Sequence, residues 1–267
     1  MRRWIVPIVL PLLGVGLIVA AVIFGGKLLR AQLKEHERFS LAFTDIDCSP
    51  PEGVERSQFL AEVRKQTNLP ERIALLDTDL PARLIEAFAR HPWVETVEEV
   101  QVSRDRQVRV SLHYRVAALA VPLAEGVRAV DGQGVLLPST ASTKGLPVWR
   151  GPASLPMGPP GAIWGDSPLE AAAQVAGALH PYQDSLHLAA VLTTGGDVTL
   201  TTQFGSRILW GRPSGNEKNG EAGASVKVER LLGHCRKYGD LDHPDGPCEH
   251  DMRPADKARI RSLRGGS

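Results

Sequence analysis

The hydrophobic pattern opens with a block free of charge. From Trp4 to Phe24 no residue is charged, and this run of 21, rich in Leu, Val and Ile, would span roughly 31 Å as a helix, close to the hydrocarbon thickness of a bilayer. The pattern predicts a transmembrane helix over 4–24, after a short cytoplasmic tail of residues 1–3. A cleaved signal peptide fits less well, because its apolar stretch is shorter and Gly25-Gly26-Lys27-Leu28-Leu29-Arg30 lacks a small-x-small cleavage site. Arg2 and Arg3 on one side are balanced by Lys27, Arg30 and Lys34 on the other, so charge alone assigns no orientation. Mixed charges with leucines at helical spacing then predict a juxtamembrane stalk over 25–40.

Beyond the stalk the period of the pattern changes. Leu41 to Ile46 reads as a short strand, ended by Ser49-Pro50-Pro51. Ser57 is placed to cap a helix with Phe59, Leu60 and Val63 on one side. Asp79 and Pro81 start a second helix, whose Leu80, Leu84, Ile85 and Phe88 fall at helical spacing before His91-Pro92 stops it. Val94 to Ser103 is rich in β-branched residues, and Gln107 to Tyr114 alternates strictly, Val108, Val110, Leu112 and Tyr114 against Gln107, Arg109, Ser111 and His113. Residues 41–115 therefore predict a β-α-α-β-β domain, with one three-stranded sheet under two helices.

Residues 116–256 predict a second mixed α+β domain. Ala117 to Val121, Val127 to Val130 and Val135 to Leu137 read as short strands, the last two joined by the turn Asp131-Gly132-Gln133-Gly134. A Pro/Gly-rich loop over 151–161 precedes an alanine-rich helix from Ser167 to Leu179. Leu186 to Leu192, Val198 to Thr202 and Ile208 to Trp210 then form an antiparallel meander sheet, and Val226 to Tyr238 returns to helical spacing. Residues 257–267 are basic and read as a flexible tail. The fold class read from the pattern is α+β, with an N-terminal transmembrane helix.

Composition narrows function more than fold. Lys and Arg total 31 against 30 for Asp and Glu, so no overall field favours nucleic acid. No phosphate loop, Ser/His/Asp motif or metalloprotease helix is present, and Gly211-Arg212-Pro213-Ser214-Gly215 lacks the lysine of a phosphate cradle. These observations favour a non-enzymatic protein without cofactor or small-molecule substrate.

The order of the motifs resembles the FtsQ/DivIB family of bacterial cell-division proteins. It runs His91-Pro92-Trp93-Val94, the hairpin through Tyr114-Arg115, Ala117 to Val121, Val130-Asp131-Gly132-Gln133-Gly134-Val135 and finally Asp251-Met252-Arg253, similar to the family's Pro-Trp-Val, charged hairpin, Val-Asp-x-x-Gly and Asp-Leu-Arg. The resemblance implies a POTRA-like first domain (the polypeptide-transport-associated module) and a β-rich second one. It also implies a bitopic scaffold with its N-terminus inside and its bulk outside the cytoplasmic membrane at the division septum. Such a scaffold binds FtsB/FtsL (DivIC)-type single-pass division proteins and helps link them to septal peptidoglycan synthesis. Strand addition is the expected mode, at an edge containing Val100, Val102 and Arg104 or at one running from Met252 to Ile260 with Asp251 and Arg253 beside it. Pro254 removes a donor from the second edge.

One constellation points to other chemistry. His234-Cys235 and Cys248-Glu249-His250, with His243 between them, offer three readings: a Cys235–Cys248 disulfide contributing about 2–3 kcal/mol, a tetrahedral zinc site, or a polar loop. The rival functional readings are a membrane-anchored extracytoplasmic enzyme or metal-binding protein using His234, Cys235, Cys248 and His250, and another POTRA-containing envelope adaptor.

Overall fold

A computed structural model of the chain describes residues 39–263 except 104, 153 and 243–245. The tail at 1–3, the span expected at 4–24 and most of the stalk lie outside the described residues. Among those described, no helix is long and apolar enough to cross a membrane. Over the described residues the fold class is therefore corrected to α+β with mixed sheets, and none of their helices is a membrane span. Two compact units divide at His113/Tyr114.

In the first unit, strand β1 (Ser40–Ala42) is followed by helix α1 (Arg56–Thr67), strand β2 (Arg72–Ala74), helix α2 (Leu80–Ala89), and the hairpin β3 (Val94–Val102) and β4 (Val108–Tyr114). Helix α1 ends where Asn68 turns left-handed at φ 51°. The core is aromatic: Phe59 and Phe88 rings lie 5.9 Å apart, Phe43 and Phe88 6.2 Å, and all three are buried.

The expected single three-stranded sheet does not form. Instead β1 pairs antiparallel with β2, Leu41 opposite Ile73, and β3 pairs only with β4. The link to the hairpin is one residue long, because Asp47 N–H donates to the Val108 carbonyl and Val110 N–H to the Asp47 carbonyl. Arg109 adds a 2.8 Å bond to the Asp47 carboxylate. The breaker Ser49-Pro50-Pro51 follows immediately, and proline removes the donors that would lengthen the ladder.

The second unit is built on one eight-stranded sheet in the order β12-β11-β10-β9-β8-β7-β5-β6. Its strands are β5 (Ala117–Leu123), β6 (Gly126–Asp131), β7 (Val148–Trp149), β8 (Leu188–Thr194), β9 (Asp197–Thr202), β10 (Arg207–Gly211), β11 (Cys248–Asp251) and β12 (Arg259–Ser262). Helix α3 (Ser167–Leu179), the short α4 (Gln183–Leu186) and α5 (Ala224–Tyr238) complete it. Asp166 caps α3 by accepting from Leu169 N–H.

Here the meander is corrected to a mixed sheet. The β8-β9-β10 part is antiparallel, but β5–β7, β7–β8 and β10–β11 are parallel. Parallel neighbours need long crossovers, and these are β6 with the 132–147 segment, α3 with its flanking loops, and α5 with its flanking loops. Alternation along a strand says which face is buried, not which neighbour lies alongside. Val135 to Leu137 is not a strand: it lies along β6, Leu137 N–H donating to Ala129 O and Arg128 Nη2 to Leu137 O. The apolar core gathers the sheet and helix around Trp149, Trp164, Leu169, Val175, Leu200, Ile208 and Trp210, all buried.

Candidate functional site

The two ends of the eight-stranded sheet differ. Along β6 the outer margin is occupied by residues 135–137. At the other end, β12 pairs with β11 on one side, no described strand flanks it on the other, and all four of its residues are exposed. An open row of N–H and C=O groups is a template for another strand.

The tail expected to fray is thus partly a strand, held by named contacts. The register sets Asp251 opposite Arg259, His250 opposite Ile260, Glu249 opposite Arg261 and Cys248 opposite Ser262. Leu263 N–H donates to Pro247 O at 2.8 Å. On one face Glu249 receives Arg261 at 2.8 Å and lies 3.9 Å from Arg207 of β10, a cross-strand ladder. Before β12 the chain is clamped by α5, where Arg230 donates to the carbonyls of Pro254 at 2.6 Å and Ala255 at 2.8 Å.

Behind β11 lies a buried polar knot. Ser206 Oγ donates to Leu241 O at 3.2 Å and accepts from Cys248 N–H at 2.8 Å, while Ser206 N–H reaches Thr202 Oγ1 and Asp242 Oδ1. His250, fully buried, makes a 2.7 Å bond to the Leu241 carbonyl through Nε2. A carbonyl only accepts, so Nε2 carries the proton and Nδ1 is the bare nitrogen, which finds no partner among the described residues. Burial pushes the His250 imidazole below its ordinary pKa, and the nearby His234 ring, 4.8 Å away edge-on, acts in the same direction.

The residues singled out from sequence fall in different places. Val100 and Val102 are half-buried on β3, whose outer side has no described strand; Arg104 lies outside the described residues. Asp251 ends the internal strand β11, and Arg253 grips its carboxylate with two bonds of 2.8 and 2.9 Å. That hydrogen bond holds the Asp251 carboxyl below its usual range. Met252 is buried, its N–H donating to Leu209 O, so the edge expected from Met252 begins only at Arg259. Pro254 bridges to Glu221 instead of lying at a margin.

His234 and His250 come together, but no disulfide joins Cys235 to Cys248. The Cys235 thiol donates to Ser185 O at 3.7 Å and the Cys248 thiol to Gly246 O at 3.2 Å, because Cys235 faces α4 from α5 while Cys248 begins β11. Burial raises the Cys235 thiol pKa. Among the described residues no group of three or more His, Cys, Asp and Glu is arranged to hold a metal ion; His243 lies outside them. The Asp131 motif is a turn lock: Oδ1 accepts from the N–H of Gln133 and Val135 at 2.8 and 2.9 Å, and Oδ2 from Arg115 at 2.7 Å.

Sequence reasoning missed a buried ion pair that braces this end of the sheet. Lys227 of α5, fully buried, places Nζ 2.7 Å from Glu221 and 5.1 Å above the Trp210 ring. Burial works to raise the Glu221 carboxyl, but bonds from Lys227 and from the amides of Lys218 and Arg212 hold it below its ordinary value. The signal was a lysine among the apolar positions of an amphipathic helix.

No family model matches the chain, and no curated protein matches it.

Proposed function

We propose that the chain is a non-enzymatic scaffold of the bacterial division complex, which holds FtsB/FtsL (DivIC)-type single-pass proteins by taking one of their strands onto the edge of β12. The observation that carries this reading is the exposure of all of β12 at an end of the eight-stranded sheet that no described strand flanks. Strand addition supplies main-chain hydrogen bonds from such an edge, and side-chain pockets add selectivity. The class of partner, the link to septal peptidoglycan synthesis and the position at the septal cytoplasmic membrane with the described residues outside the cytoplasm rest on the FtsQ/DivIB-like order of motifs.

Successive N–H groups of a strand point to opposite sides, so single prolines at Ile260 and Arg261 separate the two edges of β12. One removes an outward donor and leaves the β11 ladder intact; the other loosens β12 itself. The outward variant should keep its melting temperature yet lose co-purification of the FtsB/FtsL-type proteins and its midcell band in dividing cells. Capture and midcell position retained by both variants would sink the reading, as would a uniform envelope signal from the unaltered chain.

A further inference from the structure

Among the described residues, two of the strand edges without a neighbouring strand, those of β3 and β12, carry opposite charges. Strand β3 is nine residues long, contains Glu95, Glu98 and Glu99, and has no lysine or arginine. Glu95 faces His113 at 3.6 Å, whereas Glu98 and Glu99 are exposed. Strand β12 reads Arg-Ile-Arg-Ser, is exposed throughout and follows the exposed Lys257. Arg261 is paired with Glu249; Arg259 stands opposite Asp251, whose carboxylate also holds Arg253, and its charge acts on Asp251 and Asp256.

Charge decides which edges can meet. Pairing β3 with β3 of another copy sets carboxylates against carboxylates, and pairing β12 with β12 sets guanidinium groups together; like charges directly opposite destabilise a ladder. Of the pairings between these two edges, the crossed one brings opposite charges into register, and the nine residues of β3 cover the four of β12 with length to spare.

We infer that β12 of one copy adds to the outer edge of β3 of a second copy, so that the protein associates head to tail through a heterologous interface. This rests on the reading of β12 as a docking edge and names a second copy as an occupant of it. A strand from a division partner and β3 of a neighbour then compete for the same backbone groups.

Sedimentation velocity on the full chain, with no partner present, tests this. At about 50 mM salt the average mass should rise with protein concentration, and about 0.5 M salt should weaken association roughly tenfold by screening. The variants Glu98→Lys/Glu99→Lys and Lys257→Glu/Arg259→Glu change exposed side chains and leave Arg261 on Glu249. Each alone should stay monomeric, the first with an unchanged melt and the second with a lower one, because a carboxylate at position 259 faces Asp251 across the ladder; their mixture should associate again, because acidic and basic edges are then paired once more. A monomeric wild-type chain at every concentration, variants that associate like wild type, or a mixture that stays monomeric would each overturn the inference. The proline variants at Ile260 and Arg261 report on partner capture separately, so failure of self-association leaves that reading standing.

Discussion

Gly132 and Gly177 meet back to back: a Cβ built on Gly177 would lie 2.6 Å from the Gly132 Cα. The turn after β6 therefore rests directly on α3, with Asp131 locking the turn from one side and the helix backbone closing it from the other. The Val-Asp-Gly-Gln-Gly stretch is a packing device as well as a turn.

Gly177→Ala should destabilise the second unit by about 1–3 kcal/mol, since a methyl group there must push backbone rather than a side chain. Ala is otherwise the better helix former, so the sign is diagnostic. Urea unfolding of the variant against wild type checks it.

Lys227→Met should cost about 3–5 kcal/mol by leaving Glu221 charged and buried without its cation. The double variant Lys227→Met/Glu221→Leu should recover much of this, because the uncompensated charge is gone. Equal midpoints for wild type and single variant in a denaturant titration would contradict the role given to the pair.

Acid should weaken both units, through different histidines. Burial lowers the pKa of His91 despite Glu62 at 3.3 Å, and burial with His234 lowers that of His250. In each case the unfolded chain takes up a proton near pH 6.5 while the folded chain does not. The stabilisation from a neutral ring is thus complete above pH 6.5 and lost progressively below it, toward the lower folded pKa. His250→Leu should flatten the pH slope of the second unit's melting between neutral and mildly acid pH.

Thiol chemistry should be slow in the folded chain. Burial raises Cys48 to about 11, outweighing the pull of Arg56, and Cys235 is raised as well. Iodoacetamide labelling at mildly alkaline pH should accelerate sharply in urea, and intact mass should be the same with and without reductant, with no Cys235–Cys248 crosslink.

Much of the fold is legible locally. Alternation in Val108, Val110 and Leu112 marks β4, and the apolar spacing of Leu80, Leu84 and Phe88 marks α2. What is not legible is pairing at a distance. Arg72–Ala74 is too short and too flanked by charge to stand out as β1's partner, and parallel neighbours leave no mark in either strand. Arg259–Ser262 reads as a solvated tail because an edge strand exposed on both faces has no hydrophobic alternation to show. The edge expected from Met252 to Ile260 is displaced: Met252 is apolar because it is buried, and the exposed strand begins at Arg259. His234 and His250 were singled out for metal chemistry, yet their carbonyl and ring contacts give them a packing role.

The occupied margin along β6 gives the large sheet a direction. With residues 135–137 already lying there, the described residues leave β12 as the terminus of this sheet that is free of a neighbour, so under the proposed strand addition the sheet would lengthen from that side.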